Sequence, residues 1–427
     1  MEIRSSNPPK GTGRSFAFGP IVIGAAALLI GGMALAMPET ALQASLRGVK
    51  VWWEVLFPAL FPFFVLSELL LGFGIVHLAG TLLDPLMRPL FRLPGAGAFV
   101  VAMGFASGYP VGARLTSRLM EQKLVNRAQG ERLVEMTTTS DPIFLIGAVG
   151  VGFFGRPEAI PVLAIAHYGG AMLLGVLGRW RKDPGLAGAG SAADSDAPKP
   201  VGNRLKAAFS AMHRARLADG RPFGILLQQA MQSSLALMMI VGGLVVFFSA
   251  ALDLLMQSGI LAGFRHLLEW SLRAVGMPVG LSPAFVQGTF EVTLGARAAA
   301  QAASPDGGTL PLVDRLAAAA FVLSWAGLSV HAQVAGLMGR TGWQYGPFAR
   351  TRLLHGVIAA ATVYLIWPFI PTGQSALLPV SRAVGAMTGY ERVLWPPAAF
   401  LAALAALIAA GAAAAVARKA FRIGRNK

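Results

Sequence analysis

The chain has no cysteine among its 427 residues. That excludes disulfides, thiolate metal sites and a cysteine nucleophile. Charge is scarce as well: 13% of residues are Asp, Glu, Lys or Arg, where a soluble domain carries about 25%. Acids are the rarer sign, 20 against 36 basic residues, and histidines number six. No Gly-Lys-Ser/Thr phosphate loop is present, so the chain holds no ATP motor, and no His-Glu-x-x-His zinc motif occurs. Ala106-Ser107-Gly108 approaches an intramembrane serine-protease motif, but Phe105 stands where that motif needs glycine. The sequence therefore points to no enzyme, no cofactor and no metal centre.

What is abundant is apolar surface. Hydrophobic residues make up 55% of the chain, mean hydropathy is +0.60, and long apolar runs recur. A spanning helix needs roughly 20 mostly apolar residues. Candidates are 16–37, 51–76, 133–154, 158–178, 223–250, 315–338, 353–371 and 395–416. Two further stretches, 97–112 and 278–295, are short and broken by glycine or proline. If these two dip in and return, the segments 1–15, 77–132, 179–222, 339–352 and 417–427 share one side. They carry 27 of the 36 basic residues, which marks that side as cytoplasmic. The net charge of +16 is then explained by contact with the lipid bilayer and not with nucleic acid.

The expectation is an all-α polytopic membrane protein with about eight spanning helices plus two re-entrant or broken segments, arranged as an inverted internal repeat. Its divisions are 1–50, a tail and anchor helix; 51–178 and 223–371, the two repeats; 179–222, a basic linker; and 372–427, a last helix and basic tail. Ala34-Leu35-Ala36 resembles a signal-peptidase site, but the apolar run before it is long, favouring a retained anchor. In the linker, Leu205, Phe209 and Met212 share one helix face beside Arg204, Lys206, Arg214 and Arg216. That fits a helix on the anionic inner leaflet, or a positive-inside anchor.

The two short stretches resemble each other. Gly104–Arg114 contains Ser107-Gly108-Tyr109-Pro110 and ends on Gly112-Ala113-Arg114; Phe290–Arg297 contains Thr293 and ends on Gly295-Ala296-Arg297. Ser140 follows Arg114 by 26 residues, within Thr139-Ser140-Asp141-Pro142, and Ser324 follows Arg297 by 27. Backbone that leaves the helical ladder inside a bilayer must be buried in protein or line a wet cavity. Freed amides at a half-helix start favour an anion, and freed carbonyls at an end favour a cation. The candidate substrate-binding set is Ser107, Gly108, Tyr109, Arg114, Thr139, Ser140, Asp141, Thr293, Arg297 and Ser324. Arg114 and Arg297 can fork onto a carboxylate, or else cap helices and snorkel. The serines and threonines can instead bond back to helix carbonyls. Glu68 and Glu291 are acids in or beside apolar runs, able either to take a coupling ion or to form an ion pair, Glu291 with Arg297 being one such pairing. His331 is either a proton relay or a hydrogen-bonded interior residue.

Gly104–Arg114, Thr137–Pro142 and Ser324–Gln333, together with Phe57-Pro58, Phe61-Pro62-Phe63-Phe64 and Ser67-Glu68-Leu69, closely resemble the YlbJ family of sporulation integral membrane proteins, also called SpoVV. That family belongs to a wider group with the nucleoside-recognition, or gate, domain. The resemblance implies transport during endospore formation, in the outer forespore membrane made by the mother cell. It also implies passage of dipicolinic acid and a normal spore cortex. A small anionic substrate, with a coupling ion in addition, is the partner it implies. Two alternatives stand beside it: a non-transporting assembly factor for the cortex, and a nucleoside or ion transporter.

Overall fold

The computed structural model describes residues 18–156, 159–181, 201–304 and 306–370. The described chain is helical, with one isolated bridge between Ala303 and Thr309. Few polar side chains are available to complete an open backbone, so helices, which satisfy their own N–H and C=O groups, are the form this sequence can take in lipid.

The first half opens with α1 (Phe18–Ala36) and α2 (Pro38–Val51), which meet at an angle of 108°. Pro38 supplies no N–H to continue the ladder of α1, and it pre-sets the first turn of α2. A π-helical turn at Trp52–Leu56 leads into α3 (Phe57–Gly72), and α4 (Ile75–Phe91) follows at 82°. Then come α5 (Ala96–Ser107), α6 (Tyr109–Glu121) and α7 (Arg127–Thr137). An Asn126–Gln129 capping box starts α7. A π-helical stretch, Phe144–Phe153, follows the break after α7. α8 (Ala159–Ala164) and α9 (Gly170–Leu177), joined by a π-turn at Ile165–Gly169, complete this half.

The second half begins with α10 (Val201–Asp219), which packs on α4, buries Ala208 and leaves Leu205 and Phe209 exposed. The 35-residue α11 (Phe223–Gln257) is the longest helix described. It runs beside α2 and α3 and ties to α2 through an Arg47–Asp253 ion pair. α12 (Ala262–Ala274), α13 (Ser282–Phe290) and α14 (Val292–Ala300) are short. α15 (Leu312–Trp325), α16 (Gly327–Met338) and α17 (Tyr345–Ile366) close the described chain. Ala317–Ala320 in α15 are fully buried, and small residues of this kind let neighbouring helices approach closely. The exposed apolar side chains of α11 and α17, Met239, Ile240, Phe247, Leu353, Val357 and Leu365 among them, form an outer surface suited to lipid.

The helix count corrects the sequence reading of about eight spanning helices plus two re-entrant segments in an inverted repeat. Among the described residues four helices are long and apolar enough to cross a membrane: Ala159–Trp180, Phe223–Gln257, Leu312–Thr341 and Tyr345–Phe369. The number rises to six if each of the two bent pairs is one span. The candidate 133–154 is not a continuous helix, because the chain leaves helical geometry from Thr138 to Asp141. The candidate 51–76 ends at Phe73-Gly74, where Gly74 turns left-handed at φ 77°, and the chain departs along α4. The candidate 395–416 and the division 372–427 lie outside the described residues, as do residues 1–17 of the tail and 182–200 of the linker.

Candidate functional site

Each half contains a tight helix–turn–helix followed by a helix that breaks. In the first, α5 and α6 turn back at Gly108, with φ 83° and ψ −172°, a conformation that glycine adopts without a steric cost. A Cβ built on Gly104 would stand 3.4 Å from Gly112 Cα and 2.8 Å from Thr137 Cβ. The turn is therefore closed by backbone-to-backbone approach and rests on the last residue of α7. In the second, α13 and α14 turn at the extended residue Glu291. A Cβ on Gly295 would collide with Gly288, and Val322 of α15 packs against both glycines.

The two turns meet the two breaks. Space beside Gly108 is filled by Asp141, whose N would lie 3.1 Å from a Cβ there. Space beside Gly327 is filled by Phe290 O and Glu291 Cα, at 3.0 and 3.1 Å. Ala326, the break residue between α15 and α16, is held left-handed at φ 77°. A carboxylate finishes each half. Asp141 Oδ1 accepts from Phe144 N at 2.8 Å, and Glu291 Oε2 accepts from Leu294 N at 2.8 Å. Both are helix-start caps of the kind that satisfies orphaned N–H groups.

Side chains from α8–α9 and α17 hold the breaks open. Ser140 N donates to His167 Nε2 at 2.9 Å, so Nε2 is the acceptor. Nδ1 of the same neutral ring then carries the proton and donates to Ser324 Oγ at 2.8 Å. His167 thus bridges the break of one half to the break of the other. Tyr168 Oη donates to Ser140 O at 3.0 Å, and Tyr109 Oη donates to Leu323 O at 2.9 Å. Arg352 is completely buried. Its guanidinium donates to Thr138 O at 2.5 Å, to Glu135 O, and to His355 Nδ1 at 3.1 Å. His355 Nε2 in turn donates to His167 O at 2.8 Å, and the two imidazoles stack with centroids 5.3 Å apart. The carbonyls that α7 abandons when it breaks are therefore taken up by a cation, as the C-terminal end of a helix favours.

Between the two turns lies a small buried cavity. Tyr109, Pro110, Asp141 and Phe144 line it from the first half, and Glu291, Val292, Thr293, Ser329, Val330 and Gln333 from the second. Leu56, Leu60, Val241 and Val245 wall one side. Its volume is about 30 Å³, room for one or two waters.

The sequence-predicted residues separate into groups here. Tyr109, Asp141, Glu291 and Thr293 line the cavity. Gly108 abuts Asp141, and Ser140 and Ser324 are joined through His167. Ser107 and Thr139 are fully buried, with hydroxyls that find no hydrogen-bond partner among the described residues. Arg114 and Glu68 form an ion pair at 2.9 Å, away from the cavity lining. Arg297 is exposed. His331 donates from Nε2 to Trp325 O at 3.0 Å and accepts at Nδ1 from Tyr345 Oη at 3.0 Å, sealing the end of α15. Thr138 bonds back to Val134 O at 2.6 Å. Arg352 and His355 are the residues sequence reasoning missed. Their signal was a guanidinium and an imidazole one turn apart at the head of an apolar helix. Among the described residues no group of three or more His, Asp or Glu side chains is placed to hold a metal.

An all-helical membrane bundle with two broken-helix assemblies closing on a shared cavity is an integral membrane protein of transporter-like fold. Residues 53–157, from the turn before α3 through the first break, match the family model described as "Gate: Nucleoside recognition". Over 345 residues the chain is 39% identical to "Sporulation integral membrane protein YlbJ" of Bacillus subtilis (strain 168), covering 80% of this chain and 81% of that protein. The chain belongs to the YlbJ family of sporulation integral membrane proteins. No solved structure matches it.

Proposed function

We propose that this protein is a secondary transporter or facilitator for a small organic anion, with dipicolinate the leading candidate, acting in the outer forespore membrane and needed for a normal spore cortex. The observation that supports the reading is the convergence of both broken assemblies on one cavity, where Tyr109, Asp141, Glu291, Thr293, Ser329 and Gln333 are gathered within an otherwise apolar lining. A protein that serves only as a scaffold has no need to bury Asp141, Glu291, Thr293, Ser329 and Gln333 around a common space. Polar groups of this kind inside a membrane mark substrate or ion pathways.

Dipicolinate is a planar pyridine with two carboxylates, and it is several times larger than a cavity of about 30 Å³. Transport therefore requires the walls to part, with the substrate entering between Tyr109 and Thr293 as Leu56, Leu60, Val241 and Val245 withdraw. Uptake of labelled dipicolinate into proteoliposomes of the purified chain tests the reading. Protein-dependent flux that saturates, and that falls in Tyr109→Phe and Thr293→Val, is expected. No flux in either direction, with or without ion gradients, would reject it in favour of the assembly-factor reading. Saturable uptake of a labelled nucleoside, with none of dipicolinate, would redirect it to nucleoside transport.

A further inference from the structure

The cavity has a charge problem. Asp141 and Glu291 are 4% and 2% exposed, and no basic residue lines the space they share. The nearby arginines are committed elsewhere: Arg114 to Glu68 and Arg352 to carbonyls, while Arg297 is exposed. Each carboxylate accepts from backbone N–H groups at the head of a helix, and no side-chain cation faces it. Two uncompensated carboxylates in a medium of low dielectric are costly, and they repel the anion this pocket is read as carrying. A second observation points the same way. Ser329 Oγ, in a residue 1% exposed, lines the same cavity and has no hydrogen-bond partner among the described residues.

We propose that Asp141 and Glu291, with the hydroxyls of Thr293 and Ser329, hold one hard metal cation between the two halves. The polar lining is dominated by oxygen, the donor set that hard cations prefer. A volume of about 30 Å³ leaves no room for a full hydration shell, so the ion must shed most of its water. Magnesium does so reluctantly, and the site favours sodium or calcium. The bound cation supplies the positive charge that the arginines do not, and it makes the pocket fit for an anionic substrate. The proposal builds on the transporter reading, since it assigns that cavity its counter-ion.

The test is equilibrium dialysis of the detergent-purified full chain against radiolabelled sodium and, separately, calcium. Saturable binding of one of these ions is expected, approaching one per chain, with magnesium a poor competitor. Glu291→Gln and Asp141→Asn retain an oxygen for the helix caps while removing the charge, and each should weaken binding by about tenfold or more. Ser329→Ala removes one ligand and should weaken it by about threefold to tenfold. If either neutralised variant fails to fold, Ser329→Ala and Thr293→Val carry the test. Absence of saturable binding of both ions, preference for magnesium, or unchanged affinity in Ser329→Ala and Glu291→Gln overturns the proposal. Ion binding without flux of any organic anion keeps the cation site and removes the transporter reading. Anion flux without metal-ion binding, driven by protons alone, does the reverse.

Discussion

Replacing Arg352 by methionine should unravel the break after α7. The guanidinium is buried, and it serves Thr138 O, Glu135 O and His355 Nδ1. Methionine fills a similar volume but leaves three buried acceptors without a donor. Each unsatisfied buried group costs about 1–3 kcal/mol, so the loss is about 3–6 kcal/mol once partial relaxation is allowed. Against a total stability of about 5–15 kcal/mol this is a large fraction. For chains of a few hundred residues, 1 kcal/mol moves the midpoint by about 2–4 °C, and a fall of at least about 6 °C is expected. The assay is a melt of the detergent-purified protein followed by tryptophan fluorescence, with size-exclusion elution as a check on folding. Arg352→Lys should recover only part of the loss, because an ammonium cannot fork onto two carbonyls. His355→Phe removes one acceptor along with its donor and should cost less than Arg352→Met. An Arg352→Met protein that melts within about 1 °C of wild type, where 1 kcal/mol would already move the midpoint further, would refute the assignment of Arg352 as the cap of the broken helix.

Further outcomes follow from other contacts. Arg114→Met leaves the partly buried Glu68 without its partner and should cost about 1–3 kcal/mol; Arg114→Met with Glu68→Leu should recover most of it, as a double-mutant cycle by thermal melt will show. Ala326→Gly relieves a left-handed alanine and should raise stability by about 0.5–1 kcal/mol; a lowered melting point would show that its methyl packing matters more than its backbone. Outside the membrane, Asp219 is held below the usual carboxylate range by hydrogen bonds from Arg221. A depressed folded-state value means that Asp219 contributes stability at neutral pH, and loses it as pH falls below the ordinary aspartate value of about 3.9. The difference in melting point between wild type and Asp219→Asn should therefore shrink from pH 7 to pH 3, and a constant difference would refute the linkage.

Much of the site was legible because the chain spends its few polar residues there. Gly108-Tyr109-Pro110, Thr139–Pro142 and Glu291 stand out of apolar surroundings, and each marks a place where the structure leaves helical geometry. The arginines lie off the cavity lining for a geometric reason. Arg114 and Arg297 each lie six residues beyond their turn. At 3.6 residues per turn and 1.5 Å rise, that places them about 240° around and about 9 Å along the helix from the tip. Tyr109 and Thr293, one and two residues past their turns, reach the cavity instead. The number of spans was illegible because a hydropathy window cannot register a helix that stops where distant side chains supply its missing hydrogen bonds. His167 and Arg352 do this for residues 27 to 217 positions away.

The wall formed by Leu56, Leu60, Val241 and Val245 has a kinetic consequence. Leucine and valine side chains form no hydrogen bonds, so no bond specific to these four chains need break for the wall to part. A constriction of this type blocks ions by refusing to wet. Separating apolar faces of about 100 Å² costs roughly 2–3 kcal/mol, a barrier crossed often at physiological temperature. Because apolar attraction weakens on cooling, the closed form should be held less tightly in the cold. Val241→Asn would let water bridge the wall, and on the proposed transport reading it would let ions leak through the closed form.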